Sequence, residues 1–150
     1  MKLYIHVGKN PISGYKNINL IHDNIDLNNL NTICEQSEAT EIILDCILSY
    51  LHFDHIADFL TKMISRLRIN GKLIIYDNDF NIISNLYNNG SIDIKTVNQL
   101  IFGQDRIKKC SCFSIMDIMH IVIGNRLIVH STEINEDQFI IIAQRINRNE

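Results

Sequence analysis

Two uninterrupted apolar segments constrain the fold of this chain more than any other feature of its sequence. Glu41–Cys46 reads EIILDC, and Lys72–Tyr76 reads KLIIY. Strands that are apolar in succession, rather than in alternation, are typical of parallel sheets buried on both faces. Between the two segments, apolar residues recur at helical spacing from about residue 52 to residue 67. A strand, a helix and a second strand in this order predict an α/β domain.

Short strands are predicted before this unit, at Leu3–Ile5 and Tyr15–Leu20, and the link between them is too short for a long helix. At the other end of the chain, Leu127–Ile134 and Gln138–Gln144 are rich in β-forming residues. The polar residues 135–137 separate them, so we expect an antiparallel hairpin.

Polar and glycine residues mark the expected ends of the helices. Asn70-Gly71 is expected to end the first helix, and Asp79 and Asp93 to cap the next two. A fourth helix is expected to begin at Ser114, with Asp117 completing a capping box, and to end at Gly124. Strands that alternate with helices predict a mostly parallel sheet with helices on both faces.

The composition narrows the functional class. The chain has 150 residues, a formal net charge of −3 and 46% hydrophobic residues, which suits one globular domain over residues 1–150. This charge is not that of a DNA- or RNA-binding protein. No apolar run approaches the roughly 20 residues of a membrane span, and we expect no signal peptide because the first strand begins at Lys2. We therefore expect a cytoplasmic protein without membrane or nucleic-acid partners.

Two local clusters have more than one interpretation. Arg106, Lys108 and Lys109 form a small basic group, which we interpret as a solvated loop in preference to an anion site. Cys110-Ser111-Cys112 lacks the spacing of most zinc ligand pairs, so no metal site is predicted. We interpret these cysteines, together with Cys34 and Cys46, as reduced thiols.

A ligand of an open α/β sheet lies beyond the carboxyl ends of its strands. This rule selects His6 and Gly8 after the first strand, Asn19 after the second and Asp45 at the end of the next. Gly8 would allow a close approach of the backbone to a ligand, and Asn19 could bond a ribose hydroxyl. Asp26-Leu27 could present a carboxylate and an apolar wall to a base.

Together these residues resemble a class I S-adenosylmethionine-dependent methyltransferase, over nearly the whole chain. The likeness is to compact members whose first strand runs into LGCGKNPxxGWxNVD, where this chain reads IHVGKNPISGYKNIN, and it continues through ILSYL and INGKLIIYDNDF. The resemblance implies a Rossmann-like sheet of seven strands in the order 3-2-1-4-5-7-6, ending in the antiparallel hairpin. It also implies S-adenosylmethionine as cofactor, with Asp26 and Leu27 on the adenine side.

Three departures from the family pattern surround the implied cofactor. His6 replaces the first glycine, where an imidazole could crowd the methionine portion, and Asn19 replaces the acid that holds the ribose. The segment Cys46–Tyr50 replaces HVLEH and so lacks its carboxylate and imidazoles, the usual proton acceptors. No catalytic residue is assigned, although Tyr50, His52 and His55 follow the strand and could orient or deprotonate a substrate.

Three hypotheses follow from the sequence. The chain methylates a small molecule or sugar, or it keeps the fold and binds an adenosyl ligand or a protein without methylating. The third hypothesis is a structural role, in which an exposed strand at Phe139–Ile142 supports a homo-oligomer. The family order instead places that strand inside the sheet.

Overall fold

The computed structural model describes residues 1–23, 30–104 and 107–147. Its strands are β1 (Lys2–His6), β2 (Lys16–Asn19), β3 (Ala39–Asp45), β4 (Leu67–Asn78), β5 (Leu127–Asn135) and β6 (Gln138–Arg145). Its helices are α1 (Phe53–Arg66), α2 (Phe80–Asn88), α3 (Ile94–Phe102) and α4 (Ile115–Gly124). Short 3₁₀ turns lie at Leu30–Thr32 and Leu48–Tyr50. Every strand and helix predicted from the residue pattern is therefore present with small shifts of most ends, except that β4 begins five residues before the predicted strand.

The strands form one sheet in the order β2-β1-β3-β4-β6-β5. The first four are parallel, whereas β6 runs antiparallel to β4 and β5 antiparallel to β6. When the strands are numbered as in the class I methyltransferase family, this order is 2-1-4-5-7-6. It confirms the order expected for these six strands. Among the described residues, the outer third strand has no counterpart. β6 is an interior strand and presents no free edge.

The helices α1 and α4 pack against one face of the sheet. Alternate strand residues, such as Ile5, Leu44 and Ile75, are fully buried in one core with Leu60 of α1 and Ile118 of α4. The helices α1 and α4 also contact each other, so they share this face. The helices α2 and α3 pack on one another instead. The short link at residues 7–15 holds no helix that could cross the opposite face.

The opposite face is called the open face below. Tyr4, Ile43, Ile74 and Ile142 lie side by side on it in four neighbouring strands. Tyr4 and Ile43 are buried, and the other two are half-buried. The open face therefore carries an apolar band of side chains, which is partly exposed.

Asn70-Gly71 does not end the first helix. α1 ends at Arg66, and both residues lie within the long strand β4, where Asn70 adopts a positive φ of 66°. A Cβ on Gly71 would lie 3.0 Å from the carbonyl oxygen of Ala39 and 2.8 Å from that of Arg68. The glycine thus permits the close approach of β3 to β4, and pairing of the strands overrides the local stop signal.

Asp79 joins three elements at the carboxyl end of β4. Its buried carboxylate accepts a hydrogen bond from the N–H of Ile82 in α2 at 2.9 Å and from the N–H of Ile115 in α4 at 2.7 Å. The predicted cap of α2 is confirmed, and so are the Asp93 cap of α3 and the Ser114–Asp117 capping box of α4. A carboxylate that caps two helices fixes the route of the chain from β4 to β5.

The longest of these helices, α1, has 14 residues, and none of the described helices is both long and apolar enough to cross a bilayer.

We predict that Asp79→Ala lowers the free energy of unfolding by about 2–4 kcal/mol, because two N–H groups lose a buried charged acceptor. Asp93→Ala is the matched control, since Asp93 caps a helix that buries none of its residues. Chemical denaturation at neutral pH measures both variants. Equal losses in the two would contradict the bridging role of Asp79.

Candidate functional site

Two adjoining cavities lie at the carboxyl ends of β1, β2 and β3. The smaller has a volume of about 390 Å³ and the larger about 960 Å³. They share Val7, Ile21, Tyr50 and Ile107, so they form one cleft. Val7 follows β1, Ile21 follows β2 and Tyr50 follows β3. The cleft is therefore where the topology of an open α/β sheet predicts a ligand.

The two cavities differ in chemistry. Leu20, Ile21 and Leu51 give the smaller cavity apolar walls, and Asp23 and Lys108 are its charged residues. The residues that line only the larger cavity are mostly polar or small: Gly8, Gln99, Leu100, Gly103, Gln104 and Lys109. Across both, the titratable residues among the described lining are Asp23, Tyr50, Lys108 and Lys109.

Gly8 and Asn19 shape the wall next to β1. Gly8 has a positive φ of 65°, and a Cβ there would lie 3.3 Å from Cδ1 of Ile21. Its N–H donates to Oδ1 of Asn19 at 3.2 Å, and the same oxygen accepts from the N–H of Ile21 at 3.1 Å. Gly8 lines the larger cavity. Asn19 was expected to bond a ribose hydroxyl, but its side-chain oxygen already accepts hydrogen bonds from two loop segments.

His6 lies outside the lining of either cavity. Its ring stacks on Tyr4 with a centroid separation of 4.7 Å on the open face, and the residue is 2% exposed. Nδ1 accepts a hydrogen bond from the N–H of Lys9 at 3.1 Å, so the ring proton resides on Nε2. Burial lowers the pKa of His6, and the nearby Asp45 opposes this only in part. The imidazole is neutral and fastens the loop to the sheet.

Asp45 is on the open face beside His6 and lines neither cavity. It accepts a hydrogen bond from the Tyr4 hydroxyl at 2.7 Å and lies 3.9 Å from Nζ of Lys9. Burial, reinforced by the bond to Asp45, raises the pKa of the Tyr4 phenol. Through Lys9, Asp45 thus ties the loop at residues 7–15, called the glycine loop below, to the sheet from the side opposite the core. The remaining candidates for the cofactor, Asp26 and Leu27, lie outside the described residues.

Asp23 is a candidate that the sequence analysis missed. Its Oδ2 accepts the N–H of Asn19 at 2.7 Å, and the side chain lines the smaller cavity. It lies four positions after Asn19, the position where the family carries an acid. The turn after β2 returns the carboxylate to that end of the strand, and this spacing is the one signal that could have identified it.

Tyr50 lines both cavities because a 3₁₀ turn carries it over the end of β3. The N–H of Ser49 in this turn donates to Oδ2 of Asp77 at 3.1 Å. Asp77 is fully buried, and burial raises its pKa, with Lys109 and two backbone N–H groups opposing the shift. Burial also raises the pKa of the Tyr50 phenol. His52 and His55 line neither cavity and contact each other at the start of α1.

No protein-family model matches the sequence, and no curated protein matches it. Solved structures do match the fold. A methyltransferase from Methanosarcina mazei that depends on S-adenosylmethionine superposes with a TM-score of 0.61 at 14% identity, over 94% of this chain and 73% of that one. An O-methyltransferase family protein from Burkholderia thailandensis gives 0.60 at 10% identity, over 90% of this chain and 37% of that one.

A third match is the 1,6-didemethyltoxoflavin-N1-methyltransferase of Burkholderia thailandensis, solved with its substrate and S-adenosylhomocysteine. Its TM-score is 0.52 at 9% identity, over 89% of this chain and 53% of that one. The chain thus spans about half the length of this methyltransferase. It spans 37% of the length of the other Burkholderia protein. These matches show that the fold is that of class I methyltransferases.

We predict that the stability contributed by neutral His6 is present above pH 6.5 and is lost as the pH falls through its lowered folded-state pKa. The unfolded chain binds this proton first, so acid favours unfolding. His6→Asn keeps an acceptor but does not titrate there, and it should lose less unfolding free energy than wild type between pH 7.5 and pH 5. His22→Asn, at an exposed position, is the control. Identical pH dependence in wild type and His6→Asn would disprove the assignment.

Proposed function

Because the chain has the fold of class I methyltransferases, we propose that it binds S-adenosylmethionine in the cleft and methylates a small molecule or sugar. The observation that carries this proposal is the position of the cleft. It lies at the carboxyl ends of β1, β2 and β3, and the glycine loop after β1 forms part of its wall. This is the general ligand site of open α/β sheets.

The residues of the cleft fit an adenosyl group. The two volumes, about 390 and 960 Å³, lie in the range of ordinary small-molecule sites. Leu20, Ile21 and Leu51 offer apolar surface to a base. The Asp23 carboxylate can accept bonds from ribose hydroxyls beyond the one that it accepts from Asn19, because a carboxylate has about four acceptor positions.

Methyl transfer depends more on the positioning of the two reactants than on the removal of a proton. When bound, S-adenosylmethionine would supply a methyl group on a sulfonium, which is already electrophilic. The chain would hold the adenosyl end with Asp23 and the apolar wall, and Tyr50 would orient an acceptor, since it borders both cavities. The walls of Leu51 and Ile107 would keep water from the reacting atoms.

A small acceptor is favoured by the size of the larger cavity. Its volume of about 960 Å³ suits a metabolite rather than a macromolecule. The matched methyltransferase that was solved with 1,6-didemethyltoxoflavin is an example of this fold with a small acceptor. The substrate itself does not follow from the fold.

A second function is favoured by two observations. The N–H groups of Gly8 and Lys9 already donate to Asn19 and His6, so the loop has fewer backbone donors for a ligand. In addition, Asp23 is the single carboxylate in the described lining of the cleft, and no described imidazole lines it. Both features suit a protein that binds an adenosyl ligand without methylating, as an alternative to the enzyme.

We predict that Asp23→Asn weakens binding of S-adenosylhomocysteine about tenfold, because a charged acceptor for the ribose becomes neutral. The amide oxygen can still accept the Asn19 N–H, so the turn should persist. Isothermal titration calorimetry measures the affinity, with Asp54→Asn on the exposed start of α1 as a control of equal charge change. The absence of heat and of thermal stabilisation for wild type at millimolar ligand would exclude the adenosyl site.

The enzyme and the binder are separated by a transfer assay. We expect label from methyl-labelled S-adenosylmethionine to appear in a small-molecule product when the protein is incubated with a metabolite extract. Boiled protein and Tyr50→Ala are the controls, and Tyr50→Ala should reduce transfer. Binding without any transfer would favour the second function.

A further inference from the structure

Two residues of the basic group that the sequence analysis interpreted as solvated loop, Lys108 and Lys109, border the cleft, and the third, Arg106, lies outside the described residues. Lys108 lines the smaller cavity and Lys109 the larger. Lys108 is exposed, whereas Lys109 is half-buried between the end of β4 and α3. Half-burial of an ammonium group costs solvation, so its surroundings decide what it can bind.

The described groups that Nζ of Lys109 contacts are neutral. Nζ donates to the carbonyl oxygen of Leu100 at 2.9 Å and to Oδ1 of Asn78, and it lies 6.0 Å from the centroid of the Tyr50 ring. No carboxylate in residues 1–23, 30–104 or 107–147 is within ion-pair distance of it. An ammonium group has three N–H donors, and two of them are used here.

Asp77 is a candidate for a counter-charge. Its carboxylate is fully buried and accepts the N–H groups of Ser49 and Asn78. It is therefore behind the wall of the cleft and lines neither cavity. Lys109 stabilises the ionised form of Asp77 from a distance, but toward the cavity its positive charge meets no described acid.

The position of Lys109 is fixed by its backbone. Its N–H donates to the carbonyl oxygen of Phe102 at 3.0 Å. Gly103, with a φ of 81°, lies so close to the returning chain that a Cβ would be 2.7 Å from the carbonyl oxygen of Ile107. Gln99 and Gln104 add amide donors to the same cavity. Positive charge and neutral donors therefore converge on the larger cavity, whose described lining contains no acid.

We infer that Lys109 is the centre of a carboxylate-binding subsite in the larger cavity. A carboxylate accepts charge-assisted hydrogen bonds, so it can use the third donor of the ammonium group and the glutamine amides together. The identity of its carrier rests on the proposed function. It is either the amino-acid end of the adenosyl cofactor or a small acid in the acceptor position.

The test compares ligands that differ in one carboxylate. S-Adenosylhomocysteine and 5′-methylthioadenosine share the adenosine group, but only the first has an amino-acid end. Benzoate and benzamide are the matched pair for a second molecule. Affinities are measured by calorimetry and ligand-observed NMR for wild type, Lys109→Met, Lys109→Arg and the control Lys95→Met, which removes one charge from an exposed position on α3. Lys109→Gln, which keeps donors for Asn78 and Leu100, replaces Lys109→Met if that variant does not fold.

Two results support the inference and identify the carrier. If the cofactor carries the carboxylate, Lys109→Met weakens S-adenosylhomocysteine about 10- to 100-fold, the range for a hydrogen bond to a charged group, and changes 5′-methylthioadenosine less than about twofold. If a second molecule carries it, both nucleosides are unaffected, but benzoate binds in preference to benzamide and loses that preference in Lys109→Met. Lys109→Arg should restore part of either effect.

Equal behaviour of wild type and Lys109→Met toward all four ligands would overturn the subsite, even where the nucleosides bind and the proposed function stands. If neither nucleoside binds, the proposed function fails, and the benzoate pair alone then decides on the subsite.

Discussion

The short link at residues 7–15 is the constraint on which the cleft and the shape of the sheet depend. A parallel pair of strands normally needs a crossover of a dozen or more residues, usually a helix. Here β1 and β2 are parallel neighbours, yet a loop without a helix joins them. The chain must therefore turn sharply at Gly8, and Asn19 accepts the N–H that this turn leaves pointing at β2. The same loop becomes a wall of the cleft, and the open face lacks a helix from this connection.

The second support of the cleft is the polar end of β4. Three successive side chains there each hold a different element: Asp77 holds the turn that carries Tyr50, Asn78 accepts from Lys109, and Asp79 caps two helices. Buried acids are costly unless they are hydrogen-bonded, and Asp77 and Asp79 each accept two backbone N–H groups. Together they fix the far wall of the cleft against the sheet, so residues from four loops meet at one place.

Much of the fold could be predicted from the sequence because its signals are local. The caps at Asp79, Asp93 and Ser114 depend on residues three positions apart, and the apolar runs of β3 and β4 identify buried strands. Asn70-Gly71 misled the sequence analysis because the demand for glycine comes from Ala39 on a neighbouring strand. The site was less predictable. Asp23 and Lys109 reach the cleft only through tertiary structure, whereas His6 and Asp45 face the other side because alternation along β1 and β3 directs them there.

The most direct measurement of the central claim is chemical-shift mapping with S-adenosylhomocysteine on isotope-labelled protein. If the cleft at the carboxyl ends of the strands is the adenosyl site, the largest shifts should fall on the amides of Val7, Gly8, Ile21, Tyr50 and Ile107, which line it. The amides of Ile74 and Ile142 on the open face should change little. Saturable shifts centred on the open face, or no shifts at millimolar ligand, would contradict the account.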